Sequence, residues 1–206
     1  MYGREVFSAN AYKFLYYIRH LTGGRNVEKS VLDCGAGGPR PPLAVFHFYG
    51  FKTYGIEVSM EMIAEADSFC KRNGINLNIK QGDMRQLPFG DESFGYVYSQ
   101  NSIFHLTKAD TTRAMSEMKR VLKTEGLLYV NFLSTDDQGF GEGEAVGPGE
   151  WRSMEHGEPT VHSYYEPSEP DKYFEDMDIL VKEFVVSDRR AVGYRMATIE
   201  YVAKNG

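Results

Sequence analysis

The sequence predicts an α/β protein in which helices cover both faces of a mostly parallel sheet. Two observations support this prediction. Between residues 30 and 133, short apolar segments typical of buried strands alternate with segments of helical periodicity. The first of these strands ends in a glycine-rich turn before a helix, as strands of parallel sheets often do. A length of 206 residues fits a single domain over residues 1–206.

The elements up to residue 81 follow from capping residues and apolar spacing. Residues 1–24 are predicted to form an N-terminal helical cap, because Ser8 can cap a helix and Gly23-Gly24 can end it. Ser59 can cap a later helix, which Asn73-Gly74 can end. The predicted elements after the N-terminal cap are a strand at 30–33, a helix at 43–49, a strand at 53–57, a helix at 60–73 and a strand at 77–81.

The chain after residue 81 changes character near residue 134. Strands are predicted at 94–99 and 127–133, with a helix that Thr107 can cap between them. Residues 134–165 form a glycine-rich insertion that is too long for a routine loop, and we expect it to be a lid. The last predicted elements are a short helix at 171–177 and a hairpin at the sheet edge, with strands at 179–186 and 194–203.

Composition excludes several classes of protein. The chain has 23 Lys and Arg against 29 Asp and Glu, a net charge of −6, and this acidic balance argues against a nucleic-acid partner. No stretch approaches the roughly 18 apolar residues of a membrane span, and the N-terminus lacks the pattern of a secretory signal. With two cysteines, neither a disulfide framework nor a metal site is expected, and the predicted location is cytoplasmic.

The strongest single signal is the run Val31-Leu32-Asp33-Cys34-Gly35-Ala36-Gly37-Gly38. A strand that ends in such a turn lets a ligand approach the backbone closely. A dinucleotide-binding fingerprint would need glycine at position 40, where the chain has Arg40, and prolines at the helix entry remove amides that a pyrophosphate would use. Asp33 therefore fits a cationic ligand better, and a plain tight turn is the alternative interpretation.

Two more carboxylates follow the next two predicted strands. Glu57 ends the second strand, where it can accept hydrogen bonds from both hydroxyls of a ribose or, alternatively, cap nearby amides. Asp83 follows the third strand, where it can accept a hydrogen bond from an exocyclic amine, and Met84 beside it can contact an adenine. The alternative is that Asp83 is a turn residue, as an isolated Asp after Gly usually is. The combination of Asp33, Glu57 and Asp83 is a stronger signal than any one of them, because the carboxyl ends of successive parallel strands lie at one sheet edge.

These motifs resemble those of the class I (Rossmann-like) S-adenosylmethionine-dependent methyltransferases, of the small type-11 subgroup. The resemblance covers residues 30–133 and rests on the glycine-rich run together with the segments 54–59, 81–89 and 117–126. It implies a three-layer sandwich with a seven-stranded sheet whose last strand is antiparallel. The chain departs from the family at Pro39, where a third glycine is common, so we expect a modified but competent loop.

The resemblance also implies S-adenosylmethionine as the cofactor and divides the candidate residues by the part of it that they contact. The methionine end is expected to meet Asp33, Gly35, Ala36 and Gly37. The ribose is expected to meet Glu57, the adenine Asp83 and Met84, and the sulfonium side Ser99 and Gln100. Val58, next to Glu57, is a further expected cofactor contact.

Methyl transfer places few demands on catalytic side chains, because the cofactor already carries an activated methyl group. The candidates are His105, near the expected acceptor side, and Tyr164, after the glycine-rich stretch; core packing is the alternative for both. We expect a small-molecule acceptor, since the chain lacks the Asn/Asp-Pro-Pro-Tyr/Phe tetrapeptide of many nucleic-acid and glutamine methylases. Two alternatives stay open: a nicotinamide-dependent oxidoreductase and a non-catalytic S-adenosylmethionine-binding protein.

Overall fold

Four α-helices and a central sheet make up the part of the chain that the computed structural model describes, residues 8–21, 27–155, 157–189, 191 and 193–206. The helices are α1 (Ala9–Leu21), α2 (Leu43–Phe48), α3 (Met60–Asn73) and α4 (Lys108–Val121). Short 3-10 helices occupy Ile103–His105 and Glu169–Phe174. Within these described ranges, no helix is long and apolar enough to cross a membrane.

Ten strands accompany these helices in the described residues. They are β1 (Ser30–Cys34), β2 (Lys52–Glu57), β3 (Ile79–Gln81), β4 (Phe94–Ser99), β5 (Leu122–Ser134), β6 (Glu144–Gly147), β7 (Glu150–Glu155), β8 (Glu158–Tyr165), β9 (Met177–Arg189) and β10 (Tyr194–Asn205). β5 is longer at both ends than the sequence predicts. β3 is shorter, because Asn78 has a φ of 54°, in the left-handed region that a strand does not use.

The sheet is mostly parallel, which confirms the predicted α/β class. Its first five strands run parallel in the order β3-β2-β1-β4-β5. β10 pairs antiparallel with β5, and β9 pairs antiparallel with β10. The predicted hairpin of the last two strands is therefore present at this edge.

The predicted count of seven strands is wrong for the connected sheet, which has ten strands in the described part of the chain. The difference comes from β6, β7 and β8, which pair antiparallel with one another. They join the sheet where Leu133 and Ser134, at the end of β5, pair with Tyr164 and Tyr165 of β8. We call residues 144–165 the β-extension.

The glycine-rich insertion at 134–165 is thus largely strand, whereas its composition predicts a loosely ordered loop. Gly149 (φ 71°) lies between β6 and β7, and Gly157 (φ 86°) lies between β7 and β8, so these glycines form turns that need a positive φ. Between the turns, paired residues of β7 and β8 face each other, with Trp151 opposite His162. Glycine content therefore marks the ends of strands here.

Hydrophobic side chains pack on both faces of the sheet, which confirms helices on both sides. Neighbouring residues of β1 point to opposite faces, as the alternation of a strand requires. Val31 packs in a cluster with Phe14 of α1 and Phe46 of α2, whereas Leu32 packs in a cluster with Met115 of α4. The helices and the sheet thus form three layers.

Side-chain caps begin the helices where the sequence predicts. The hydroxyls of Ser8, Ser59 and Thr107 each accept a hydrogen bond from the backbone amide three residues later, at 3.3, 3.3 and 3.1 Å. Gly74 ends α3 with a φ of 62°. The predicted cap at 1–24 is described only from Ser8 to Leu21; Gly23-Gly24, predicted to end α1, lies outside the described residues.

Candidate functional site

A large cavity of about 690 Å³ opens at the carboxyl ends of β1 to β4. We call it the large cavity. Open α/β sheets bind their ligands at this edge, and the volume is within the usual range for small-molecule sites. Seven of the ten residues predicted to contact a cofactor line it: Gly35, Gly37, Glu57, Val58, Asp83, Met84 and Gln100.

The other three predicted residues lie behind the cavity wall. Ala36 is fully buried and packs in the core under α2. Ser99 is buried at the end of β4, where its hydroxyl donates to the carbonyl of Cys34 at 3.0 Å. Asp33 is buried in β1. These residues therefore support the strand ends that form the cavity. Fewer residues line the cavity than the sequence predicts.

The glycine-rich turn after β1 is held tightly against its neighbours. The amides of Gly35 and Ala36 both donate to the carbonyl of Ile56 in β2, at 2.8 and 3.1 Å. Gly35 has a φ of 96°, and a Cβ there would lie 2.0 Å from the hydroxyl oxygen of Ser102. Only glycine fits this position, so the turn keeps bare backbone at the cavity wall.

Among the described residues, Asp33 has a buried carboxylate oxygen without a hydrogen-bond partner. Its residue exposure is 1%, and its Oδ2 has no hydrogen-bond partner. Burial, and then the negative charge of Glu57, raises the pKa of Asp33 well above its usual value. An orphaned buried carboxylate is costly unless a positive group compensates it. The site therefore fits a ligand that carries a cationic group.

Glu57 spans two backbone amides at the mouth of the turn. Its Oε2 accepts from the Gly37 amide at 3.1 Å, and its Oε1 accepts from the Ser59 amide at 2.9 Å. The capping role that the sequence leaves open is therefore present. A carboxylate has about four acceptor positions, so each oxygen keeps capacity for another donor on the cavity side.

Asp83 is held by an arginine that sequence reasoning missed. The Arg85 guanidinium donates hydrogen bonds to both carboxylate oxygens of Asp83 at 2.6–3.0 Å and to Asp110 at 2.8 Å. Hydrogen bonding from Arg85 lowers the pKa of Asp83, so this carboxyl is ionised at neutral pH. The two-residue spacing of Asp83 and Arg85 after a strand is the sequence signal that could have identified the pair.

A second cavity of about 390 Å³, which we call the small cavity, adjoins the large one. Asn101, His105 and Glu155 line both cavities and form their common wall. The β-extension also contributes Ser153, His162 and Tyr164 to the lining of the small cavity. The structure thus brings both predicted catalytic candidates, His105 and Tyr164, to one chamber beside the large cavity.

The common wall is fixed by a pair of asparagines. Asn101 has a φ of 53°, an unusual conformation for a residue with a side chain. Its amide donates to Oδ1 of Asn131, and the Asn131 amide group donates back to Oδ1 of Asn101, both at 2.8 Å. These reciprocal bonds hold the chain in this conformation as it leaves β4.

Tyr164 is held as a neutral phenol. Burial, with Asp137 nearby, raises the pKa of Tyr164 above its usual value. It can therefore donate a hydrogen bond or pack against a ligand at neutral pH, but it is poorly suited to remove a proton. Glu155, which faces His105 and His162, was not identified from the sequence, because it lies in the stretch predicted to be an irregular lid.

Comparison with known proteins gives a family match for about half of the chain. Residues 32–130 match the methyltransferase domain family. An uncharacterised methyltransferase of Bacillus subtilis, YcgJ, is 35% identical over 112 residues, which are 53% of this chain and 43% of that protein. A sterol 24-C-methyltransferase of Gibberella zeae is 30% identical over 135 residues, 64% of this chain and 35% of that protein. The chain thus spans less than half the length of these curated relatives.

Solved structures share the fold over nearly the whole chain. A SAM-dependent methyltransferase from Methanosarcina mazei superimposes with a TM-score of 0.75, covering 91% of this chain and 96% of that one at 18% sequence identity. The matched segment contains every predicted cofactor-binding residue, from Asp33 to Gln100. Residues 32–130 thus match the methyltransferase domain family, and the chain is similar to the class I S-adenosylmethionine-dependent methyltransferases.

Proposed function

We propose that this protein transfers a methyl group from S-adenosylmethionine to a small-molecule acceptor. The observation that carries the proposal is the arrangement of two cavities with a common wall at the carboxyl ends of β1 to β4. One cavity is large enough for a nucleoside cofactor, and the other meets it at Asn101 and His105. A reaction between two bound molecules needs such adjoining sites.

The large cavity would bind the cofactor in a single orientation, with each part of the cofactor at a different strand end. The methionine end would meet the turn at Gly35 and Gly37, with Ala36 and the buried Asp33 directly behind it, since the unpartnered Asp33 oxygen suits an ammonium group. The ribose would lie at Glu57 and Val58, the adenine at Asp83 and Met84, and the sulfonium side at Ser99 and Gln100. When bound, the cofactor supplies an electrophilic methyl group that a nucleophilic acceptor atom displaces in line.

The small cavity would hold the acceptor. Its volume of about 390 Å³ suits a small molecule and leaves no room for a duplex or a folded domain. The sterol methyltransferase of Gibberella zeae, by its name, acts on a small molecule as well. In this chamber His105 would face the acceptor, and Tyr164 would donate a hydrogen bond or pack against it. Residues 134–165 would act as a lid within a single domain of 1–206.

The two alternative functions are less well supported. A nicotinamide-dependent oxidoreductase is not favoured, because Arg40 breaks the dinucleotide spacing and residues 32–130 match the methyltransferase domain family. A non-catalytic binding protein would share the large cavity but would not need the small cavity beside it. The cytoplasm remains our predicted compartment, on the argument that the two cysteines are unpaired.

Calorimetry on the full chain tests the cofactor assignment. We expect S-adenosylmethionine and its demethylated product S-adenosylhomocysteine to bind, and NADH to bind negligibly. The physical reason is the carboxylate set Asp33, Glu57 and Asp83, which suits an ammonium, a ribose and an exocyclic amine but repels a pyrophosphate. Tighter binding of NADH than of S-adenosylmethionine would overturn the assignment.

A further inference from the structure

Two imidazoles and one carboxylate converge where the large and small cavities meet. His105 Nδ1 lies 3.4 Å from Glu155 Oε2, and His162 Nε2 lies 3.2 Å from the same oxygen. One donor atom from each of the three residues lies within 4.8 Å of the other two. Across the described ranges, this is the one group of three His, Cys, Asp or Glu side chains with metal-ligand spacing.

We propose that His105, Glu155 and His162 bind a divalent transition-metal ion. Bonds from Zn²⁺ to histidine nitrogen and carboxylate oxygen are about 2.0–2.2 Å, so adjacent ligand atoms of a tetrahedral site lie about 3.3 Å apart. The separations of 3.2 and 3.4 Å agree with that spacing. Two histidines with one carboxylate are also the ligand set of catalytic zinc and non-haem iron sites that keep positions open.

The ligands are held by separate, regular elements. Glu155 ends β7, His162 lies in β8, and the pairing of Trp151 with His162 and of Glu155 with Glu158 puts the two side chains on one face of the β-extension. His105 comes from the 3-10 helix after β4. Ser153 Oγ lies 3.5 Å from Nδ1 of His162, while Nε2 faces Glu155. Metal-binding histidines commonly have such a partner on the second ring nitrogen.

The open positions of the ion would face the small cavity. His105, Glu155 and His162 all line that cavity, and His105 and Glu155 also line the large one. A molecule bound in the small cavity can therefore reach the ion while it lies next to the large cavity. The cysteine count argues against a four-cysteine metal site, but it carries no information on histidine and carboxylate ligands, so the proposed site differs from our expectation of no metal site.

This position specifies an acceptor class, and that step rests on the proposed methyltransferase function. The acceptor would present a hydroxyl oxygen to the ion. Binding to the ion lowers the pKa of the hydroxyl, so that the O–H bond breaks with its electron pair left on oxygen and the proton released to solvent. The oxygen is then a nucleophile at neutral pH without a side chain acting as the base. Tyr164, which lines the small cavity with these ligands, would orient the acceptor.

An ion pair between a protonated imidazole and Glu155 is the competing explanation of the same geometry. In such a pair, a proton on a histidine ring takes the place of the metal ion between the imidazole and the carboxylate. The two explanations therefore differ in whether the full chain binds a metal, and this property can be measured without any acceptor.

The test is a titration of the chelator-treated full chain with Co²⁺, followed by visible absorption, with Zn²⁺ as the competitor. We expect one saturable site whose absorption bands show nitrogen and oxygen ligands, and displacement by Zn²⁺. His162→Ala and Glu155→Gln should weaken Co²⁺ binding by more than the roughly 10–100-fold typical of losing an outer partner. Ser153→Ala, which removes such a partner, should weaken it by about 10-fold.

Matched variants control this experiment. His47→Ala removes a histidine from α2, and Glu158→Gln neutralises the residue opposite Glu155; both should bind Co²⁺ as the unaltered chain does. Thermal unfolding checks each variant, and His105→Ala, on a separate element, repeats the test if His162→Ala alters folding. Wild-type binding no tighter than that of His162→Ala would overturn the metal site. S-adenosylhomocysteine affinity, measured without metal, tests the proposed function separately.

Discussion

The large and small cavities are adjacent, but the chain builds them in different ways. The large cavity is lined mainly by residues in the turns that directly follow β1, β2, β3 and β4. The small cavity combines the segment 101–105 with β7, β8 and β10, which lie far along the chain. The family match ends at residue 130, before the β-extension begins. The proposed cofactor site therefore depends on local motifs, whereas the proposed acceptor site depends on long-range packing.

The largest expected effect tests how strictly the local motif is constrained. Gly35→Ala places a Cβ 2.0 Å from Ser102 Oγ at a φ of 96°. Crowding and the positive φ together should lower the free energy of unfolding by about 3 kcal/mol and remove cofactor binding. Urea denaturation measures the first quantity and calorimetry the second.

Gly90→Ala is the matched control for that variant. Gly90 is exposed, and a Cβ there meets nothing nearer than Ser93 Oγ at 3.8 Å. Its free energy of unfolding should stay within about 0.5 kcal/mol of the unaltered chain. Equal stability of the two variants would show that the turn after β1 tolerates side chains and that the local motif is not constrained by packing.

The next prediction is that substitution of Asp33 changes stability and cofactor binding in opposite directions. Because burial raises its pKa in the folded protein, the folded carboxyl holds its proton more tightly than the unfolded one, whose pKa is about 3.9. Its contribution to stability is present below pH of about 3.9 and is lost as the pH rises through the folded pKa. Asp33→Asn should therefore be more stable than the ligand-free unaltered chain at pH 7, because the asparagine side chain carries no charge.

This gain should shrink as the pH falls towards 4, while S-adenosylmethionine binds the variant more weakly at pH 7. Urea denaturation across this pH range, together with calorimetry, measures both trends. Asp67→Asn, on the exposed face of α3, should change neither quantity. Loss of stability in Asp33→Asn at pH 7 would mean that the Asp33 carboxylate stabilises the ligand-free fold, and it would contradict a role reserved for a cationic ligand.

The same division explains what the sequence could predict. β1 to β4, α3 and α4 follow from caps and apolar patterns within a few residues, as Ser59 and Thr107 show. The β-extension was not predictable in this way, because its glycines lie in turns and its strands are stabilised by pairing with the end of β5. Seven cavity-lining residues were identified from motifs, but Glu155 was missed, since only tertiary packing brings it to His105.

The smallest effect concerns the β-extension as a lid. Amides of β6, β7 and β8 should exchange hydrogen faster than those of β1, β4 and β5, because the β-extension joins the sheet through only two residue pairs. Adding S-adenosylhomocysteine should slow exchange in 144–165 by several-fold, if closure accompanies cofactor binding. Hydrogen exchange read by mass spectrometry gives both rates. Unchanged exchange in 144–165 would show that the segment is a fixed wall.

The central claim is that the carboxyl ends of β1 to β4 bind a nucleoside cofactor, and Glu57 tests it most directly. Calorimetry should give S-adenosylhomocysteine a Kd about one to two decades weaker for Glu57→Ala, since charge-assisted hydrogen bonds contribute about 1.5–3 kcal/mol. Glu61→Ala, an exposed glutamate in the first turn of α3, is the matched control and should bind as the unaltered chain does. An unchanged Kd for Glu57→Ala would contradict the account, because Glu57 would then serve only the amides of Gly37 and Ser59.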